Sequence, residues 1–227
     1  MICVSLTYVF LICTVVPLLF GLWAQFKVKS TFKRYSQVAT ASGMTGAQAA
    51  EAVLRDSGVT GVGIRPVAGQ LSDHYDPRSN TMRLSAPVGN SDSVAAVAVA
   101  AHETGHAFQH SGGEAGFKLR GALVPAAGFA SQAWFPIFLL GIFTSATNLA
   151  LLGVALFAAI VLFQLVTLPV EFGASKKAMA MLSTQGIISQ AQVPVARKVL
   201  TAAAMTYVVG ALVAIWQLAL LFMQSRR

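Results

Sequence analysis

The sequence predicts a mainly α-helical, polytopic membrane protein with four transmembrane helices and a small α+β insert. Three observations lead there. Of 227 residues, 56% are hydrophobic and only 11% charged, against roughly 25% charged in a soluble domain. No Asp, Glu, Lys or Arg occurs in residues 1–26, 121–170 or 199–225. Between the first two of these runs lies one long polar stretch that carries helix caps, turns and alternating residues.

A membrane-spanning helix takes about 20 apolar residues. Residues 1–26 therefore hold the first transmembrane helix and residues 199–225 the fourth. Residues 121–170 hold the second and third, as a hairpin turning at T-S-A-T-N, Thr144–Asn148. That leaves residues 27–120 as the insert and residues 171–198 as a loop or helix on the same face.

Nothing positive precedes the first apolar run, and Lys27, Lys29, Lys33 and Arg34 follow it. This is the pattern of a retained anchor and not of a cleaved signal peptide. Lys118, Arg120, Lys176, Lys177, Arg197 and Lys198 fall on the same side as those four, and only Arg226 and Arg227 on the other. Basic residues near span ends mark the cytoplasmic face, so both termini are expected on the opposite side of the membrane. The net charge of +8 suits anionic lipid headgroups and calls for no nucleic acid. Cys3 and Cys13 stand ten residues apart in the first span, about 15 Å along a helix and too far for a disulfide.

Within the insert, Thr45 and Gln48 have the capping-box spacing, and Ala47, Ala50, Val53 and Leu54 follow at helical intervals, which predicts a helix over 46–57. Val62–Val67 and Thr81–Ser85 read as short strands, with the turn-rich Asp73–Asn80 between them. Asn90–Ser93 offers good N-caps to a helix over 94–110, which ends at Gly112-Gly113.

That helix contains His102-Glu103-Thr104-Gly105-His106, and three of the four histidines lie between positions 102 and 110. Residues four apart on a helix are about 40° apart around the axis and ~6 Å along it. Two imidazoles at that spacing can converge on one zinc ion, and Glu103 lies at the flank where it can take a proton from a water on the metal. A catalytic zinc wants a third protein ligand. His110 stands ~12 Å along the helix from His102, and the carboxylates are Asp73, Asp76, Asp92, Glu114 and Glu171. Glu171 is the expected third ligand. It is the first charge after fifty uncharged residues, where a cytoplasmic membrane exit normally shows Lys or Arg, and two spans bring it back to the face of the His102 helix. His110, Asp73 and Asp76 are the alternatives.

H-E-T-G-H-A-F-Q-H, with S-D-H-Y-D-P-R-S-N-T-M-R-L-S upstream and L-P-V-E-F-G-A-S-K-K-A downstream, resembles the neutral zinc metallopeptidases of bacterial membranes (YugP-like) over nearly the whole chain. It is similar, more distantly, to the HtpX-like and CAAX-prenyl-protease group. The resemblance implies a zincin-like insert carrying the H-E-x-x-H helix and a gluzincin-like site with Zn2+ held by His102, His106 and Glu171. In the distant group an E-x-x-x-D pattern supplies the third ligand and an Asp partner for a zinc-binding histidine, and Ser175 stands at that Asp position.

The expected function is a membrane-embedded zinc endopeptidase that cleaves protein or peptide substrates, membrane proteins among them, at the cytoplasmic membrane surface. In it Glu103 serves as general base to a water on the zinc. The substrate is expected to add as a strand to a sheet edge, for which Thr81–Ser85 is the candidate. His74 or the Tyr75 hydroxyl is placed to stabilise an oxyanion. The plainer reading of their turn is that Asp73 and Asp76 bond the backbone. Arg83 suits either a substrate carboxylate or Asp76. Gly105 inside a helix implies close approach by a substrate or another helix. The alternative function is a non-hydrolytic membrane scaffold or assembly subunit with a vestigial zinc site, for which Glu103 would be superfluous. The spans show few ionisable groups, which speaks against a transporter. Their Gly and Ala content permits packing within the chain, in a homo-oligomer or in a membrane complex.

Overall fold

The computed structural model describes residues 6–225, with side chains from residue 15 onward. Cys3, Arg226 and Arg227 lie outside the described residues, as does the side chain of Cys13. The elements in order are α1 (Leu6–Tyr35), α2 (Gly46–Asp56), β1 (Gly63–Val67), β2 (His74–Asp76), β3 (Thr81–Ser85), α3 (Ala86–Gly89), α4 (Val94–Ser111), α5 (Ala115–Phe143), α6 (Thr147–Thr184) and α7 (Val193–Ser225). The protein is thus mainly helical with one small sheet. Among the described residues, three helices, α5, α6 and α7, are long and apolar enough to cross a membrane. The first expected span falls on α1, much of it among residues whose side chains are not described.

The chain forms two compact units. One draws its described residues from Met1–Gln25, Leu119–Leu168 and Met205–Arg227, and the other comprises Phe26–Lys118 and Pro169–Ala204. In the first, α5 and α6 are joined at the expected turn, since α5 ends at Phe143 and α6 begins at Thr147. Glycine lets the two helices close up there. A Cβ on Gly141 would stand 2.3 Å from Ala150 N, and one on Gly153 2.6 Å from the Phe138 Cβ. Trp134 packs edge-on against Phe157 at 4.7 Å between ring centroids. The core of this unit also includes Val161, Ala214 and Leu221.

In the second unit, α2 begins where the capping box requires. The Gln48 amide donates to Thr45 Oγ1 and the Thr45 amide to Gln48 Oε1, which satisfies two of the N–H groups a helix start leaves over. Ala49, Ala50, Val53 and Leu54 bury one face of it. The next long helix, α4, is capped by Ser93, whose hydroxyl accepts from Ala96 N at 3.2 Å. It runs through a stretch of Ala and Val and ends at Gly112, with Gly113 at φ 64°. Small residues on all sides let α4 sit at the centre of the unit, with Ala95, Ala98, Ala100 and Ala101 fully buried.

The sheet departs from expectation in two ways. A third strand, β2, forms inside the Asp73–Asn80 segment read as turn alone. It pairs antiparallel with β3, Tyr75 opposite Met82. Because β1 pairs parallel with the other side of β3, the order is β1-β3-β2. Thr81–Ser85 is therefore the central strand and not the edge. Met82 and Leu84 are accordingly buried, and the edge beside α4 belongs to β2. Of the two forms expected after residue 170, loop or helix, the segment takes mostly the helical one: α6 runs unbroken to Thr184 and only residues 185–192 separate it from α7.

Candidate metal centre

Two helices of the second unit supply the site. His102, Glu103 and His106 come from consecutive turns of α4, and Glu171 and Ser175, one turn apart, from α6. The helices approach closely because Gly105 has no side chain. A Cβ there would lie 2.6 Å from the carbonyl oxygen of Ala174 and 3.0 Å from its carbonyl carbon and Cα. Another helix, not a substrate, accounts for this glycine.

That approach brings Glu171 Oε2 to 3.2 Å from His102 Nε2 and 3.6 Å from His106 Nε2. The two imidazoles stand edge to face, 4.8 Å between centroids. One ligand atom from each of His102, His106 and Glu171 lies within 4.8 Å of the others, so the three could hold a metal ion. Tetrahedral zinc with N and O ligands at about 2.0–2.1 Å places its donor atoms roughly 3.3 Å apart, and the two separations to Glu171 bracket that value. The outer ring nitrogens are engaged elsewhere. His102 Nδ1 meets Ser175 Oγ at 3.1 Å, and His106 Nδ1 meets Gln109 Oε1 at 2.9 Å. Both Nε2 atoms are left toward the centre, an arrangement usual around metal-binding histidines. The residues present fit zinc.

Glu171 is 1% exposed and His106 7%, so their charges act on each other with little water between them. Burial disfavours the charged form of His106. The hydrogen bond with Glu171 and the charges of Glu103 and Glu171 outweigh this, and its pKa is raised above the ordinary value. Glu103, also buried, accepts a hydrogen bond from the Tyr75 backbone N–H at 2.9 Å. This ties α4 to the edge strand.

Tyr75 is held a second time. Asn80 Nδ2 donates to Gly61 O, which turns its Oδ1 toward the Tyr75 hydroxyl at 2.5 Å. His110 Nδ1 lies 2.7 Å from the same hydroxyl, and since that hydroxyl donates to Asn80, His110 donates to it. Burial, and secondarily Asp76, raise the Tyr75 pKa. With its hydroxyl engaged twice, Tyr75 acts here as a fastening. The third histidine of the cluster thus serves the strand and stands apart from the group formed by the other two.

The remaining expected residues are placed elsewhere. Asp73 accepts from Ser85 N and Oγ at 2.7 and 3.0 Å. Asp76 accepts from Ser79 Oγ and Arg78 N, and these bonds hold its pKa low with help from the Arg83 charge. Glu114 pairs with Lys177 at 2.6 Å, and Asp92 lies in the loop before α4. His74 is exposed at the start of β2, its Nδ1 2.8 Å from Ser72 O. A carbonyl only accepts, so Nδ1 carries the proton, and the ring can offer a second N–H only as imidazolium.

Gln109 is the residue that sequence reading missed. It is 2% exposed, three residues beyond His106 on the same helix face. A lone Gln in the run Ala107-Phe108-Gln109 was the available signal.

Comparison with known proteins agrees with this geometry. Residues 9–226 match the family described as "Putative neutral zinc metallopeptidase". The chain is 44% identical over 209 residues to the "Putative membrane protease YugP" of Bacillus subtilis (strain 168), covering 92% of this chain and 93% of that protein. No solved structure matches the chain. With the family match running from residue 9 to residue 226, the chain belongs to the neutral zinc metallopeptidase family.

Proposed function

We propose that the protein is a membrane-embedded zinc endopeptidase that hydrolyses peptide bonds at the cytoplasmic surface of a bacterial inner membrane. The observation that carries the proposal is the convergence of His102, His106 and Glu171 with Glu103 beside them on α4. A purely structural metal site needs no general base beside its histidines. The relative's description as a membrane protease supports the same reading. So does Glu171 being the first residue past an apolar run of fifty. The basic residues at the span ends, Lys27 to Arg34 and Lys176 to Lys198 among them, support a cytoplasmic site with both termini opposite.

In this reading His102, His106 and Glu171 hold one zinc. When bound, the zinc supplies a Lewis acid that acidifies water and polarises the scissile carbonyl. Glu103 takes the proton of the attacking water and delivers it to the leaving amine nitrogen. The substrate lies extended along the outer edge of β2. His74, at the start of that edge, is the candidate oxyanion donor in its protonated form.

Metal content tests the proposal. Detergent-purified wild type is expected to hold one zinc per chain, Glu171→Gln to lose it, and His110→Ala to retain it. Elemental analysis beside a peptide-cleavage assay reads the result. A wild type that takes up no zinc when supplied, or that cleaves nothing when loaded, would favour the non-hydrolytic scaffold.

A further inference from the structure

We infer that Gln109 is a positioning residue that holds His106 in its metal-competent tautomer and ties it to the backbone beside Glu171. The inference rests on the zinc reading above and adds a residue to it. A Gln that is 2% exposed must find partners for both ends of its amide. Its Nε2 donates to Val170 O at 2.8 Å, and this settles which end is which. Oε1 therefore faces His106 Nδ1, at 2.9 Å. An amide oxygen only accepts, so that nitrogen must carry a hydrogen. In the neutral ring Nε2 is then the unprotonated nitrogen, and it is the one directed at Glu171 Oε2.

Three details make this a built arrangement. Val170 immediately precedes Glu171, so one side chain touches both a candidate histidine ligand and the backbone next to the candidate carboxylate ligand. Gly173 makes the room, because a Cβ there would stand 2.9 Å from Gln109 Nε2. And the other histidine lacks such a device. His102 Nδ1 faces the hydroxyl of Ser175, which can donate or accept and so does not dictate a tautomer. The fixed side of the site is the His106 side, and Gln109 fixes it.

The test uses the full chain in detergent and zinc ions alone, with affinity read by chelator competition. Gln109→Met keeps the size and removes the acceptor. It is expected to weaken zinc binding about 10–100-fold, the usual loss when a metal-bound histidine loses its outer partner. The thermal unfolding of the metal-free protein should stay near wild type. Gln109→Glu restores an acceptor opposite Nδ1 but, as a carboxylate, has no donor for Val170 O, and it is expected to recover part of the affinity, a rescue that a packing role would not give. Wild-type affinity in Gln109→Met overturns the inference while leaving the zinc reading intact, and a Gln109→Glu protein that binds zinc no better than Gln109→Met overturns the tautomer claim and leaves only the bond to Val170. A wild type that binds no zinc overturns both. Should the variants fail to fold, 15N spectra of histidine-labelled, zinc-loaded wild type decide. His106 coordinated through Nε2 with a proton on Nδ1 is expected, and coordination through Nδ1 refutes it.

Discussion

Glu103→Gln is expected to lower peptide hydrolysis about 10²–10⁴-fold, the range for losing a general base, while the protein keeps its zinc. The substitution is close to isosteric. Its amide oxygen can still accept from the Tyr75 N–H, which lies 2.9 Å from the native carboxylate, so the edge strand stays in place. What disappears is the ability to take a proton. Neither His102 nor His106 can substitute, because both face Glu171 through Nε2. Cleavage of an unstructured protein by metal-loaded wild type and variant, beside their zinc contents, measures the effect. Undiminished turnover would remove Glu103 from the chemistry. Loss of zinc together with activity would make it a structural support.

The second large effect is expected from Gly105→Ala. Taken alone, Ala in place of a helical Gly stabilises by about 1 kcal/mol. Here the new methyl would meet the carbonyl oxygen of Ala174 at 2.6 Å and its Cα at 3.0 Å. These are backbone atoms of a long helix, and they cannot rotate aside. Overpacking of this kind typically costs about 1–3 kcal/mol, so net destabilisation wins. The effect on function should be larger than the effect on stability. To admit the methyl, α4 and α6 must part, and the 3.2 and 3.6 Å separations between the histidines and Glu171 open with them. A shift near 1 Å at a catalytic site costs on the order of 10²-fold. The variant should therefore melt lower, bind zinc weakly and lose most activity. A Gly105→Ala protein that matches wild type in all three would show that the crossing has slack.

The features legible in the sequence were those written in local pattern. Charge-free runs marked the apolar helices α5, α6 and α7, since about 20 apolar residues are what a membrane-crossing helix takes. Thr45 and Gln48 announced the start of α2 because a capping box lies within four residues. The grouping of His102 with His106 was readable from the helix repeat alone, and that of Glu171 with them from its place after the long uncharged run. What escaped depended on partners distant in the chain. The place of Thr81–Ser85 at the centre of the sheet follows from β1 and β2 flanking it, and β2 is only three residues long, too short to declare itself among turn residues. His110 looked like a spare ligand because its partner, Tyr75, lies 35 residues away. Gln109 looked like any polar residue on a helix until Val170, 61 residues on, gave it an acceptor.

The double fastening of Tyr75 bears on how the protein avoids sticking to itself. A sheet edge with an unpaired N–H is a template for chance pairing with any passing chain, and proteins suppress it by keeping edges short or covered. On β2 both devices are present, because the strand is three residues long and the Tyr75 N–H is already taken by Glu103. A chance segment finds little to pair with on an edge so short and with that N–H engaged.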